Sequence, residues 1–233
     1  MIGTHQHCGE AHLARVFAKE ALEIAEEYGF SLWVTFGLVE LGWAEAEMGD
    51  AEYGIEKMRR GLAQYELTGA KLRCPYFLGL LADQLGKAGQ LDEAFEVITK
   101  GINLAEQTGE GYGLSELHLI KGDLFLNSGK LIKATKFPGE SSELAQQMQA
   151  RASFADAAAI AKQQGARFWE MKAAIRLYRL DLILGNPDHT QLAEIYSSFT
   201  EGFESADLKM AKELLDSVPL DRSITNSAST SAK

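Results

Sequence analysis

Glycine returns every twenty residues. Gly9, Gly29, Gly49, Gly69, Gly89, Gly109 and Gly129 form an unbroken comb, although glycine fills only 22 of 233 positions. So sparse a residue does not fall into such a series by chance, and a fixed period is the signature of a repeat architecture. The comb then jumps from Gly129 to Gly165 and resumes at Gly185, so an insertion of sixteen residues restores the register.

The glycines alternate in kind. Gly9, Gly49, Gly89 and Gly129 precede a polar residue, whereas Gly29, Gly69, Gly109 and Gly165 close the polar tripeptides EYG, LTG, QTG and QQG. Both kinds suit the left-handed position just past a helix C-terminus. The true period is therefore forty, with two helices per unit. The columns agree. Ala11, Ala51 and Leu91 align, as do Ala14, Gly54, Ala94 and Ala134; then Ala18, Met58 and Ile98; then Ala21, Gly61 and Gly101; then Leu22, Leu62 and Ile102. Offsets of three, four and seven mark one helix face. Small residues in these columns suit a close helix crossing.

The spacing predicts helices near 10–28, 30–48, 50–68, 71–88, 90–108, 111–128, 130–137, 142–164, 166–184, 188–200 and 204–216. The four prolines fall near helix ends or in the insertion, and no run alternates with a period of two, so no sheet is expected. The expected organisation is a remnant at 1–9, a repeat domain at 10–216 with an insertion at about 134–149, and a polar, disordered tail at 217–233. Pro138-Gly139 should break the helix in the insertion. Residues 1–8 are too few for a full first helix, which leaves the helix at 10–28 without its hairpin partner.

Hairpins with glycine turns and small residues in the second helix resemble tetratricopeptide repeats. In LGWAEAEMGDAEYGIEKMRRGL (41–62), Leu41-Gly42, Gly49-Asp50, Gly54, Met58 and Gly61-Leu62 look like that family's positions. The unit is longer than the family's usual one and lacks its closing proline. A narrower resemblance is to the helical-repeat tail of bacterial multidomain signalling proteins that carry a STAND-type ATPase, often with a nucleotide cyclase or DNA-binding domain. It rests on GWAEAEMG (42–49), PYFLGLLADQLGKAGQLDEAF (75–95), ELHLIKGDLF (116–125), ARASFADAAAIAKQQGARFWEMKAA (150–174) and FTEGFESADLKMAKELLD (199–216). The resemblance implies an all-α, tetratricopeptide-like, right-handed superhelical solenoid of about five hairpins. It implies an interaction or sensory role in a bacterial signalling system, not catalysis.

Chemistry-bearing motifs are few. There is no G-x-x-x-x-G-K-[ST] loop, because Leu81 and Leu124 stand where Gly86-Lys87 and Gly129-Lys130 would need glycine. His5, His7, Cys8 and His12 form a His-rich start that reads as a frayed terminus rather than a metal site. His118 and His189 are isolated, and no serine has a His–Asp partner in pattern. No catalytic residue, metal or cofactor is assigned. A net charge of −10 without a basic patch argues against direct nucleic-acid binding. No apolar run of membrane-spanning length and no signal peptide is present, and two cysteines in different units suit a reducing, cytoplasmic setting.

In the tetratricopeptide family the first helices line a concave groove. By register, the resemblance implies that Glu40, Trp43, Tyr76, Asp83, Lys87, Asp123, Asn127, Lys172, Arg176 and Arg179 face inward here. The groove would be acidic and aromatic at one end and basic at the other, and would take a protein, a peptide or a small ligand. Packing is the stronger reading for Trp43. The alternative function is a free-standing scaffold that self-associates through residues 10–28.

Overall fold

The structure is a computed structural model. It describes residues 2–134 and 140–217, with the side chains of that span except those of 2, 4, 129–134 and 140–142. Eleven helices and no strand occur among the described residues. They are α1 (Ile2–His7), α2 (Ala11–Glu27), α3 (Ser31–Glu47), α4 (Ala51–Leu67), α5 (Cys74–Lys87), α6 (Leu91–Thr108), α7 (Leu114–Ala134), α8 (Glu140–Gln163), α9 (Arg167–Ile183), α10 (Thr190–Ser197) and α11 (Ala206–Asp216). The chain is all-α, as the glycine comb requires.

The comb works by backbone geometry. Gly9, Gly29, Gly49, Gly69, Gly89, Gly109, Gly165 and Gly185 all have positive φ, between 66° and 107°. At Gly89 (φ 79°) nothing lies within 4 Å of where a Cβ would stand, so backbone conformation, not crowding, selects glycine there.

Gly129 is the exception. It stays inside α7, which runs unbroken to Ala134, so the expected turn at 129 and the separate helix at 130–137 are corrected. An interior glycine costs a helix only about 1 kcal/mol relative to alanine, and a polar neighbour alone does not force a stop. The sixteen extra residues instead lengthen both helices of one hairpin, to 21 residues in α7 and 24 in α8. The expected break at Pro138-Gly139 lies outside the described residues, as does the expected disordered tail from 218 onward.

The repeat register survives when counted back from each closing glycine. Fifteen residues before Gly29, Gly69, Gly109 and Gly165 stand Ala14, Gly54, Ala94 and Ala150, all buried. Eleven before stand Ala18, Met58, Ile98 and Phe154, all buried too. Ala134 therefore does not belong to the small column; Ala150 takes that place. The alanine- and glycine-bearing face of α2, α4, α6 and α8 meets the first helix of its own unit or the next. Gly42 and Gly54 mark the closest crossing. A Cβ on Gly42 would sit 2.6 Å from the Gly54 carbonyl oxygen, and one on Gly54 would sit 2.7 Å from the Ala46 Cβ.

Successive helices pack on each other, and helices two apart also touch: α1 on α3, α3 on α5, α5 on α7, α7 on α9 and α9 on α11. The core follows the chain. One apolar cluster joins α2 to α7, a second joins α7, α8 and α9, and a third joins α9, α10 and α11. α3 is enclosed, with every residue from Thr35 to Ala44 buried. α5 starts later than the spacing implies because Arg73, at φ 61°, and Pro75 in the first turn set its entry. No helix among the described residues is long and apolar enough to cross a membrane.

Candidate functional site

The first helices α3, α5, α7 and α9 turn polar and aromatic side chains toward one another at their N-terminal ends. Arg73, at the head of α5, is the non-glycine residue with positive φ among those described. Such a conformation costs about 1–2 kcal/mol for an L-residue. It is held by the Arg73 backbone N–H, which donates to both carboxylate oxygens of Glu110 at 2.9 and 3.1 Å. The guanidinium lies within 5.2–6.0 Å of the ring centres of Phe36, Tyr76, Phe77 and Tyr112. A guanidinium is weakly hydrated and attracted to ring faces, so an aromatic box holds it well.

Glu40 of α3 approaches that cation at 3.8 Å. It is only 4% exposed, and burial, opposed by Arg73, raises its pKa to about 7. Glu116 of α7 is raised further, to about 8, because burial outweighs Lys172 and Arg176. Lys172 of α9 lies over the Phe168 and Trp169 rings at 4.8 and 5.5 Å and reaches Asp207 of α11 at 3.3 Å.

α1 lies in the middle of this group. Gln6 Oε1 accepts a hydrogen bond from the Tyr76 hydroxyl at 2.6 Å. His7 Nε2 is 3.2 Å from the Tyr112 hydroxyl, and its ring packs on Tyr76 and Trp169. Burial, aided by Lys172 and Arg73, lowers the His7 pKa to about 4. His7 Nδ1 is 3.8 Å from Glu116 Oε2. With the imidazole deprotonated and the carboxyl protonated near neutral pH, this contact is not an ion pair. Gln6 Nε2, His7 Nδ1, Arg73 Nε and Glu116 Oε2 are all buried without a hydrogen-bond partner. The expected frayed start is thus corrected at His7, which packs against residues of α5, α7 and α9 and against Tyr112 in the turn before α7; His5 stacks on Phe17 instead.

The other residues assigned to the groove by register separate into groups. Tyr76, 1% exposed, belongs to the cluster. Trp43 does not: it is 6% exposed and belongs to the apolar cluster that includes Ala44 and Ile55, the packing role favoured for it over a groove position. Asp83, Lys87 and Glu47 form a second group. Lys87 binds the Glu47 carboxylate and lies 2.8 Å from Asp83. Burial holds the Asp83 pKa above the usual carboxylate range despite Lys87. Asp123 pairs with Arg176, whose Nε donates at 2.9 Å. Asn127 is half-buried one turn further along α7. Arg179 is exposed and reaches the Met210 sulfur at 3.8 Å.

The basic end is therefore corrected. Lys172 and Arg176 are matched by Asp207 and Asp123, and only Arg179 of that stripe is turned outward. These pairs link α3 to α5, α7 to α9 and α9 to α11. The register missed Gln6, His7, Arg73, Tyr112, Glu116 and Trp169. Trp169 had a signal, since it precedes Lys172 by three residues and shares its helix face. Arg73 had none, because its backbone conformation is set by Glu110, 37 residues away.

No group of three or more His, Cys, Asp or Glu side chains among the described residues is placed to hold a metal ion. No protein-family model matches the chain. It is similar to an uncharacterized protein of Rhizobium meliloti (strain 1021), 35% identical over 89 residues. That match covers 38% of this chain and 9% of the relative's length.

Proposed function

We propose that the chain is a non-catalytic interaction or sensory module, a tetratricopeptide-like right-handed solenoid of about five hairpins on a forty-residue period. In this reading it is the repeat tail of a bacterial signalling ATPase, nucleotide cyclase or transcriptional regulator. It binds a protein or small ligand on the inner face of its first helices and biases the attached output domain. One observation carries the reading: Arg73, held in a strained conformation inside a box of four rings, stands beside buried polar atoms that lack partners. Aromatic and arginine side chains in a desolvated setting are the usual anchors of recognition, and backbone strain collects at ligand sites. The partial match to a far longer protein fits a module carried within larger chains.

Catalysis is not part of the proposal. Ser115 and Ser153 spend their hydroxyls on the Ala157 and Gln149 carbonyls. His118 lies 3.7 Å from Asp156. The geometric requirements for an activated nucleophile are not assembled there.

A capture experiment tests the reading. Wild-type chain, a Tyr112→Ala/Arg73→Gly variant and an outer-face Arg59→Glu variant are each used as bait in an extract of the source cells. A specific partner should be held by the wild type and by Arg59→Glu but not by the inner-face variant. Equal capture by all three would rule out the inner face as the working surface.

A second reading is self-association through residues 10–28. It draws on Leu13, Val16 and Ile24 of α2, which are 41%, 41% and 55% exposed. Contiguous exposed apolar surface marks contact sites.

A further inference from the structure

In the forty-residue register, His7 is the counterpart of Glu47 and Lys87. Those two residues meet each other at the C-terminal ends of α3 and α5. His7 is not beside them. It touches Tyr76, Tyr112, Glu116 and Trp169, near the opposite ends of α5, α7 and α9. α1 packs on α2 and α3, passes beside the Arg73 guanidinium at Gly3, and sends the Gln6 and His7 side chains across to Tyr76, Tyr112, Glu116 and Trp169.

The fit is incomplete. α1 is six residues long, too short to be stable as a helix on its own. Among the described side chains, its polar contacts with this region are the Gln6–Tyr76 hydrogen bond, the His7–Tyr112 contact and the 3.8 Å approach of His7 to Glu116. Two of its own polar atoms, Gln6 Nε2 and His7 Nδ1, stay unpartnered, and so do Arg73 Nε and Glu116 Oε2 facing them. Leaving buried donors and acceptors unmet is costly in a dry site. Gly9, at φ 73°, closes α1 through the Gly9 N–H to Gln6 and Glu10 N–H to His5 backbone hydrogen bonds and joins it to α2.

We propose that the inner face between Arg73 and Trp169 is a docking site for a short peptide helix, and that α1 is its built-in occupant, which a partner must displace. The inference rests on the inner-face reading above. The fitting partner presents an acceptor to the Tyr76 hydroxyl and Arg73 Nε and a donor to Glu116, on successive side chains, with an aromatic or imidazole ring against Trp169. α1 shows this chemistry in part, and a partner that satisfies both Arg73 Nε and Glu116 Oε2, which α1 leaves unpaired, outcompetes it. Because α1 is tethered, its high effective concentration sets the affinity that a partner must exceed.

The test uses the full chain and a labelled synthetic peptide of residues 1–9 with Cys8→Ser. Hydrogen exchange at residues 6–10, whose amides are bonded when α1 is in place, reports the internal occupant, and fluorescence anisotropy reports binding of the added peptide. In the wild type, residues 6–10 should be protected and the peptide should bind weakly. In Gln6→Ala/His7→Ala those amides should exchange at least tenfold faster, with α2 to α9 unchanged, and the peptide should bind at least tenfold more tightly. Adding Tyr112→Ala should abolish that binding. Free exchange at residues 6–10 in the wild type would overturn the inference and leave the inner-face reading standing. Protection that is released without any gain in peptide binding would count against the inner face as a peptide site, and so against that reading as well.

Discussion

The Arg176 guanidinium of α9 grips the Asp123 carboxylate of α7, with Nε and Nη2 each 2.9 Å from Oδ2. The pair spans 53 residues and ties the long hairpin to the helix that follows it. Both side chains are about one-third exposed, so water screens part of the attraction. Arg176→Ala should lower the unfolding free energy by about 1–2 kcal/mol. Asp123→Asn should cost a similar amount, and the double variant less than their sum. A urea denaturation cycle checks it; full additivity would mean that the two groups do not interact.

The α3–α4 crossing makes a sharper demand. Gly54 faces the Gly42 backbone and the Ala46 methyl at distances that no Cβ tolerates. Gly54→Ala should destabilise by about 1–3 kcal/mol through overpacking, despite alanine's better helix propensity. Gly61→Ala should follow in the same direction, since its Cβ would stand 2.8 Å from a Val39 methyl. Chemical denaturation at constant slope reads both, and an unchanged midpoint for Gly54→Ala would refute the crossing.

Arg73→Gly should change stability by less than about 1 kcal/mol. The change releases a left-handed backbone that glycine adopts freely, and this offsets the loss of the guanidinium from its ring box. Arg73→Ala loses the same side chain and keeps the strain, so it should melt at a lower denaturant concentration than Arg73→Gly. The reverse order would mean that Arg73 is not strained.

Stability should depend on pH in a defined sense. Glu116 and Glu40 have folded-state pKa values raised to about 8 and about 7, chiefly by burial. The folded chain therefore binds more protons than the unfolded chain between about pH 4.5 and 8, and stability falls as pH rises across that window. His7, lowered to about 4, and His118, also lowered by burial, act in the opposite sense below about pH 6.5. From pH 6.5 to 8 the raised carboxyls set the slope, and stability should decline. Glu116→Gln should flatten the decline, which thermal melts at fixed ionic strength can follow.

Much of the fold was legible because the glycine comb is a backbone signal. A left-handed residue past a helix end is a local requirement, so α2, α3, α4, α6 and α9 begin and end within a residue or so of where the spacing puts them. Gly129 was misread for the same reason in reverse: glycine permits a turn without imposing one, and the long α7–α8 pairing overrode it. The site was less legible. Register located Glu40, Tyr76, Asp83, Lys87, Asp123, Lys172 and Arg176 on the facing helices. It did not foresee that Lys172 and Arg176 would be matched by Asp207 of α11 and Asp123 of α7. Arg73 is set by Glu110, 37 residues away, and His7 meets Tyr112 and Glu116 across 105 and 109 residues, which no local pattern carries.

The account places the working surface on the inner face and not on the exposed side of α2. Light-scattering mass across a hundredfold concentration range, for the wild type and for Leu13→Glu/Val16→Glu, tests that placement. The account predicts the mass of one 25.5 kDa chain at every concentration for both proteins. A mass that climbs toward twice that value in the wild type, and stays at one chain in the variant, would contradict it and make the α2 face the contact surface.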